Sequence, residues 1–434
     1  MKRIDVGLLL SDSVDFRLNG TFQGGGSDEF TGEHKVSAYG DTVEWKGKSY
    51  ERLIFSPMDD TCTFTVYNVI IGIDFHWERH ENQTFRGELH FFAENGKVRV
   101  VNRIGVEEYL QSVISSEMSS TSSLQLLKAH AVISRSWLYA QLYRAENSRV
   151  ETSLCEKCND DEIIRWYARE DHELFDFCAD DHCQRYQGIT RAMNPNVVRA
   201  VEETAEIVLA HDGIVCDARF SKCCGGITET FSSCWENVDV SYLASFRDAD
   251  AASEHYDASS EDAARRWIDG NDEAFCSSVD AHVLSQVLNG YDRETNDFYR
   301  WTVEYTAEEL SLLIKEKSGI DFGRIEELVP LQRGASGRII KLKIIGSKKS
   351  IVVGKELEIR RWLSPSHLYS SAFVVDKKFD ADNNVTYVLR GAGWGHGVGL
   401  CQIGAAAMSD KGYDFRAILS HYYPNTELKN INTL

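Results

Sequence analysis

Residues 89–118 read LHFFAENGKVRVVNRIGVEEYLQSVISSEM, and the hydrophobic period changes partway along them. In the first half, Leu89-His90-Phe91-Phe92 and Val98-Arg99-Val100-Val101 flank Asn95-Gly96, a pair that favours a tight turn between antiparallel strands. In the second half, Val106, Leu110, Val113 and Ile114 recur on one face of a helix. A strand pattern that gives way to a helix predicts an α+β protein, β-rich, with a few packed helices around a substrate groove.

Towards the N-terminus, residues 1–97 alternate apolar and polar between Gly and Asp turns, as at Gly24-Gly25-Gly26, and are expected to be mostly β. Beyond Met118, Ser119 to Ser123 form a polar break. Ser122 with Gln125 resembles a capping box, and a helix to about Ala145 should turn Leu124, Leu127, Ala131, Leu138 and Leu142 inward. Residues 155–235 are rich in Cys and His. Residues 245–300 are acidic and polar, as in a surface excursion. Strands are expected over 301–305, 339–345 and 351–353, a helix capped by Thr306 and Glu309 to about Lys317, and an amphipathic helix over 414–423. The segmentation is 1–97, a principal domain over 98–426, and a tail over 427–434.

The chain has 434 residues, 43% of them hydrophobic, and a formal net charge of -20. A core is affordable, and nucleic acid and anionic membranes are poor partners for such a charge. No apolar run reaches the roughly 18–20 residues of a spanning helix. Lys2 and Arg3 precede only Val6-Gly7-Leu8-Leu9-Leu10, which is short for a secretory leader and reads as a first strand. The expected location is therefore the cytoplasm, or the cell envelope if a leader has been removed. The 11 cysteines are an odd number spread along a long chain, unlike a small disulfide framework.

Three motifs carry chemistry. Glu117 ends the apolar helix, where a carboxylic acid shielded from water can protonate a glycosidic oxygen; the ordinary alternative is a solvated or capping Glu. Hydrolytic glycosidases generally need two carboxylates, yet Glu107 and Glu108 fall about 15 Å away along the axis. A one-acid mechanism, with the substrate supplying its own nucleophile, fits better. In Gly391-Ala392-Gly393-Trp394-Gly395-His396-Gly397-Val398-Gly399 an extended chain would present one bare face, suited to close approach by a ligand or another backbone. Trp394 would offer a stacking surface and His396 a hydrogen bond or proton relay. Finally, His172, Cys178, His182 and Cys183 suit a tetrahedral Zn²⁺, closed and therefore structural. Cys155 and Cys158 with Cys178 and Cys183 form a competing set, and Cys223, Cys224 and Cys234 are further donors.

These residues resemble the SpoIID/LytB family of stage II sporulation protein D and the amidase enhancers. The matching stretches run from Val106-Glu107-Glu108-Tyr109-Leu110 and Ser116-Glu117-Met118 through Leu127-Lys128-Ala129-His130-Ala131-Val132 and Ser134-Arg135-Ser136. They continue with His182-Cys183-Gln184, Tyr186, Gly188, Gly225-Gly226-Ile227-Thr228, Ser336-Gly337-Arg338, residues 393–399 and His421-Tyr422-Tyr423-Pro424. Together they cover roughly 98–426. The resemblance implies a lytic transglycosylase that cleaves the MurNAc–GlcNAc bonds of peptidoglycan glycan strands, especially peptide-free ones, to 1,6-anhydroMurNAc ends. It implies Glu117 as acid and then base, a metal on the segment from His172 to Cys183, and a cell-wall amidase as a possible partner. Arg135, Lys128, Trp394, His396, Gln402 and Tyr422 are the candidate sugar contacts, with Arg135 placed to orient the acid or an anionic lactyl group. The chain departs from the family at His130, where Gln is usual, at Cys401, where Ser is usual, at Ile403, where Tyr is usual, and at Ser119, where Pro is common. A non-catalytic glycan-binding regulator and a zinc hydrolase centred on the Cys/His cluster are the competing readings.

Overall fold

A computed structural model of the chain describes residues 2–71, 79–119, 122–147, 155–167, 172, 174–180, 183–190, 195–250, 256–270, 272–278, 280–288 and 297–434. The fold is mixed α+β and falls into two compact units, Met1–Ser120 with Arg169–Ala205, and Thr121–Ala168 with Glu206–Leu434.

The first unit is built on an eleven-stranded sheet. Glu88–Glu94 and Lys97–Gly105 pair antiparallel in the expected hairpin, with Lys97 opposite Glu94. Asn95 (φ 52°) and Gly96 (φ 73°) make the turn, the left-handed geometry that Asn-Gly tolerates. Arg3–Ser11 is indeed a strand and lies antiparallel to Lys97–Gly105. The 97/98 division drawn from sequence runs through this sheet. An aromatic core fills one of its faces: the Phe16 ring lies 4.8 Å from Phe91 and 5.4 Å from Phe55, and Trp45 meets Phe55 edge-on at 5.1 Å.

Helix α1, Val106–Glu117, leaves the sheet directly through the extended Gly105, and Val106 N–H donates to Lys2 O at 3.2 Å. Its buried face comprises Val106, Tyr109, Leu110, Val113 and Ile114, as the spacing predicts. The helix stops because Met118 turns extended (φ -111°, ψ 152°) with its side chain buried.

The second unit opens with helix α2, Leu124–Asn147. Its cap differs from the predicted box. Ser123 Oγ accepts from Leu126 N–H at 3.2 Å, while Ser122 donates to Gln286 O and Gln125 Oε1 accepts from Phe415 N–H at 3.0 Å. Tertiary partners have taken both residues of the predicted box. Leu127, Ala131, Leu138 and Leu142 are buried, and Leu124 is half-buried. The expected strands appear as Arg300–Thr306, Ile339–Gly346 and Ser350–Gly354. Thr306 and Glu309 form a full capping box on the helix Ala307–Ser318, and Asp414 caps Phe415–Tyr422. Leu310, Ile314, Ile325, Leu342, Ile359, Trp362 and Leu389 share one core.

Some regions differ from expectation. Glu427–Asn430 is a strand paired with Ile207–His211 rather than a tail. The acidic stretch 245–300 reaches the interior: Asp248, Ala264, Trp267, Ile268, Phe275 and Cys276 are buried. Its net polarity hides a helix, Glu261–Asp269, whose apolar residues fall three and four apart. Cys155 and Cys158 are joined in a disulfide, which leaves neither a thiolate for the competing all-cysteine set. No helix among the described residues is long and apolar enough to cross a membrane.

Candidate active site

Glu117 lies half-buried at the carboxyl end of α1. Arg185 N–H points to its Oε1 at 3.4 Å. The segment that brings this N–H is held by aromatic packing. Tyr186 stacks on Tyr109 of α1 at 5.0 Å, its hydroxyl bonds Asn102 Oδ1 on the adjoining strand at 2.5 Å, and Tyr109 OH donates to Gln184 Oε1 at 3.4 Å. Burial first, then the negative charge of Cys183, Cys178, Tyr186 and Glu117, pushes the Tyr109 phenol well up from its ordinary value. It therefore stays a donor, and the acid and the thiols share its surroundings.

Upstream of Arg185, His172, Cys178 and Cys183 converge, with one donor atom from each within 4.8 Å of the others. His172 Nε2 and Cys183 Sγ are 3.7 Å apart, and Cys178 N–H points to Cys183 Sγ at 3.4 Å. The predicted fourth donor, His182, lies outside the described residues. The loop is pinned to the sheet edge: Phe177–Cys178 pairs in parallel with Val6 and Gly7, and Asp176 Oδ2 accepts from Asp5 N–H at 2.9 Å. Gly7 is required here, because a Cβ would meet the Phe175 ring at 2.7 Å.

In the second unit the glycine strip is not a flat extended face. Its strand ends at Ala392, and Gly393, Gly395, Gly397 and Gly399 all take positive φ, from 69° to 92°. Their bare sides meet protein. A Cβ on Gly399 would sit 2.0 Å from Arg219 O, one on Gly397 2.4 Å from the Arg338 guanidinium, and one on Gly393 2.8 Å from Cys223 O. The strip is a tight backbone crossing, locked by reciprocal bonds between Trp394 and Cys223 (N···O 2.8 and 3.0 Å). Arg338, from the Ser336-Gly337-Arg338 motif, donates to Gly395 O and Cys224 O. One face of the Trp394 indole stacks on Phe298 at 4.7 Å, and Tyr369 abuts it at 5.0 Å.

The other candidate contacts have structural partners. His396 is held neutral: burial, then Arg219, Arg338 and Arg360, puts its pKa well below the ordinary value, and its Nδ1 accepts from Val398 N–H at 3.0 Å. Arg135 is buried in α2 and donates to Ile207 O at 3.0 Å, while Ser136 Oγ accepts from Leu209 N–H at 2.8 Å, so this motif anchors the strand Ile207–His211. Lys128 packs its ammonium over Phe415. Gln402 is buried and meets His130 Nε2 at 3.2 Å. Burial, then Lys222, pushes the His130 imidazole down to about 3, so the ring is neutral. Tyr422 is buried and donates to Asp248 Oδ1 at 2.8 Å.

The structure also brings forward residues that sequence reading missed. Tyr109, Gln184 and the Arg185 N–H support Glu117. Glu229 is buried at the centre of the crossing, accepting from Ser336 Oγ at 2.6 Å and Thr230 N–H at 2.9 Å. Gln184 and Tyr186 stood in the matched motif, which was the available signal for them; Glu229 had none.

Comparison with known proteins places residues 94–211 in a match to the Stage II sporulation protein (SpoIID) family and residues 229–399 in a match to a domain of unknown function, DUF8618. An uncharacterised protein of Brachyspira hyodysenteriae is 25% identical over 348 residues, 80% of this chain and 73% of that one. The Stage II sporulation protein D of Bacillus subtilis is 23% identical over 76% of this chain and 75% of its own. The amidase enhancer of Bacillus subtilis is 26% identical over 54% of this chain, which is 33% of that protein.

Proposed function

Because this chain belongs to the SpoIID/LytB family, we propose that it acts on the cell wall as a lytic transglycosylase of peptidoglycan glycan strands, with Glu117 as its single acid–base group. The observation that carries this reading is the setting of Glu117. It is a half-buried carboxyl at a helix end, fixed by Arg185 N–H and backed by the stacked Tyr109 and Tyr186. The SpoIID match covers all of these residues.

In the proposed step, protonated Glu117 gives its proton to the glycosidic oxygen, and the bond to the anomeric carbon breaks. The carboxylate then takes the proton of the muramic C6 hydroxyl as that oxygen attacks the same carbon. The acid is regenerated, no water is consumed, and a 1,6-anhydro ring closes. An internal nucleophile is already held next to its target, so no second carboxylate is needed. Glu107 and Glu108 sit in the first turn of α1, at the opposite end from Glu117.

Zinc belongs to the same reading. His172, Cys178 and Cys183, with His182, would hold it, and their chemistry suits Zn²⁺. Its role would be structural: it would lock the loop that leads into Gln184, Arg185 and Tyr186, and so the N–H that orients the acid.

A non-catalytic, glycan-binding enhancer of a wall amidase is the second reading. The likeness to the amidase enhancer of Bacillus subtilis, 26% identical over 54% of this chain, favours it. The deciding experiment is mass spectrometry of peptide-free glycan strands incubated with the protein and with Glu117→Gln. Products one water lighter than hydrolysis products, absent with the variant, support the transglycosylase. Glycan binding by both proteins with no products from either would leave the enhancer.

A further inference from the structure

The second unit contains another convergence of metal-binding groups, remote in sequence from the His172 loop. Cys224, Asp248, Cys276 and Cys401 each offer a donor atom, all within 4.8 Å of one another. All are interior, at 2%, 0%, 1% and 0% exposure. Cys224 Sγ lies 3.5 Å from Cys276 Sγ and 3.3 Å from Asp248 Oδ2. A tetrahedral zinc with bonds of about 2.3 Å to sulfur sets neighbouring sulfurs about 3.8 Å apart. A disulfide would need about 2.05 Å. We propose that Cys224, Cys276, Cys401 and Asp248 form a second, closed site for a thiophilic divalent cation, zinc by preference, which knits the interior of the second unit.

Several independent features support this. Asp248 is a fully buried carboxylate whose side chain meets Cys224, His421 and Tyr422, and no Lys or Arg among the described residues forms an ion pair with it. A buried carboxylate without a cation is costly, and a bound metal removes that cost. His421 Nε2 (3.1 Å) and Tyr422 OH (2.8 Å) both meet Oδ1, which leaves Oδ2 turned towards the sulfurs. Such outer contacts orient metal ligands.

The sulfurs are surrounded by donors. Gly226 N–H points to Cys224 Sγ at 3.3 Å, and Cys224 N–H and Gly404 N–H to Cys401 Sγ at 3.2 and 3.4 Å. Cys401 is also the N-cap of the helix Gln402–Asp410, whose positive pole favours a thiolate. Gly404 has to be glycine beside these groups, since a Cβ would meet Asp248 Oδ2 at 2.5 Å and Tyr422 OH at 2.2 Å. Cys223, next in sequence to Cys224, is a further buried free thiol. Binding releases the thiol protons to solvent and leaves three thiolates and one carboxylate on the cation. With four protein ligands there is no open position, so the ion is structural.

The inference does not rest on the catalytic reading. The test is elemental analysis of the full-length chain, produced with zinc and dialysed, alongside a His172→Ala/Cys183→Ser variant and a Cys276→Ser/Cys401→Ser variant. We expect the first variant to keep the zinc of the second unit, and the second variant to lose one equivalent relative to wild type. If wild type carries one equivalent, lost only with Cys276→Ser/Cys401→Ser, the second-unit site stands and the His172 site falls. Equal zinc in wild type and the Cys276/Cys401 variant overturns the proposal, as does a Cys224–Cys276 disulfide in non-reducing peptide mass spectrometry. Iron in place of zinc overturns the choice of metal. Should the cysteine variant fail to fold, cobalt loading of His172→Ala/Cys183→Ser decides. A thiolate-to-cobalt charge-transfer band is expected, and its absence refutes the site.

Discussion

Replacing Gly399 by Ala tests what the glycine strip is for. Gly399 has φ 69°, and an added Cβ would lie 2.0 Å from Arg219 O, where ordinary contact begins at 3.4 Å. The two chain segments would have to part by more than 1 Å. Arg219 O also accepts from Leu400 N–H at 3.1 Å and Tyr423 OH at 2.7 Å, so parting strains both bonds. Left-handed backbone costs a non-glycine residue about 1–2 kcal/mol, overpacking about 1–3 kcal/mol, and a weakened hydrogen bond about 1 kcal/mol. The sum is roughly 3–6 kcal/mol. Gly319 is the control in the same unit: φ is 73° and nothing lies within 4 Å of an added Cβ. Gly319→Ala should therefore cost only the backbone term, about 1–2 kcal/mol. In thermal melts of a domain this large, about 2–4 °C accompanies each kcal/mol. Gly399→Ala should lower the melting temperature by about 6–24 °C, and Gly319→Ala by about 2–8 °C. Equal shifts would refute the crossing and return the strip to a role as a face open to ligand.

Three further outcomes are expected. His130 is neutral in the fold with its pKa depressed to about 3, so its contribution is fully present above about pH 6.5 and is lost as pH falls towards 3, at up to about 1.4 kcal/mol per pH unit. Melting curves of His130→Gln, which keeps a polar partner for Gln402, should be flatter than wild type between those limits; an identical slope would remove His130 as the cause. Cys183→Ser should lose the zinc proposed for the His172 loop and raise hydrogen exchange over residues 174–188, and unchanged exchange would mean the loop needs no metal. Thr306→Ala removes a cap accepting from Glu309 N–H at 3.2 Å and should cost about 1 kcal/mol in denaturant melts, without altering metal content.

Local chemistry alone determined the hairpin, α1 with Glu117 at its end, the Thr306 box and the Asp414 cap. Each depends on residues at most a few positions apart, so dihedral preference and hydrophobic period are enough. The capping box at Ser122 and Gln125 shows the limit of that reasoning: it was locally sound, but Gln286 and Phe415 supplied competing partners from elsewhere in the chain. The sign of φ at Gly393, Gly395, Gly397 and Gly399 was equally beyond sequence, because glycine accepts either hand and what packs against it makes the choice. The same holds for the burial of Arg135, Gln402 and Tyr422, whose internal partners come from distant parts of the chain. The second metal cluster draws on Cys224 and Cys401, 177 positions apart, so no spacing could announce it. Proximity between distant residues is created by packing, and only the tertiary structure decides it.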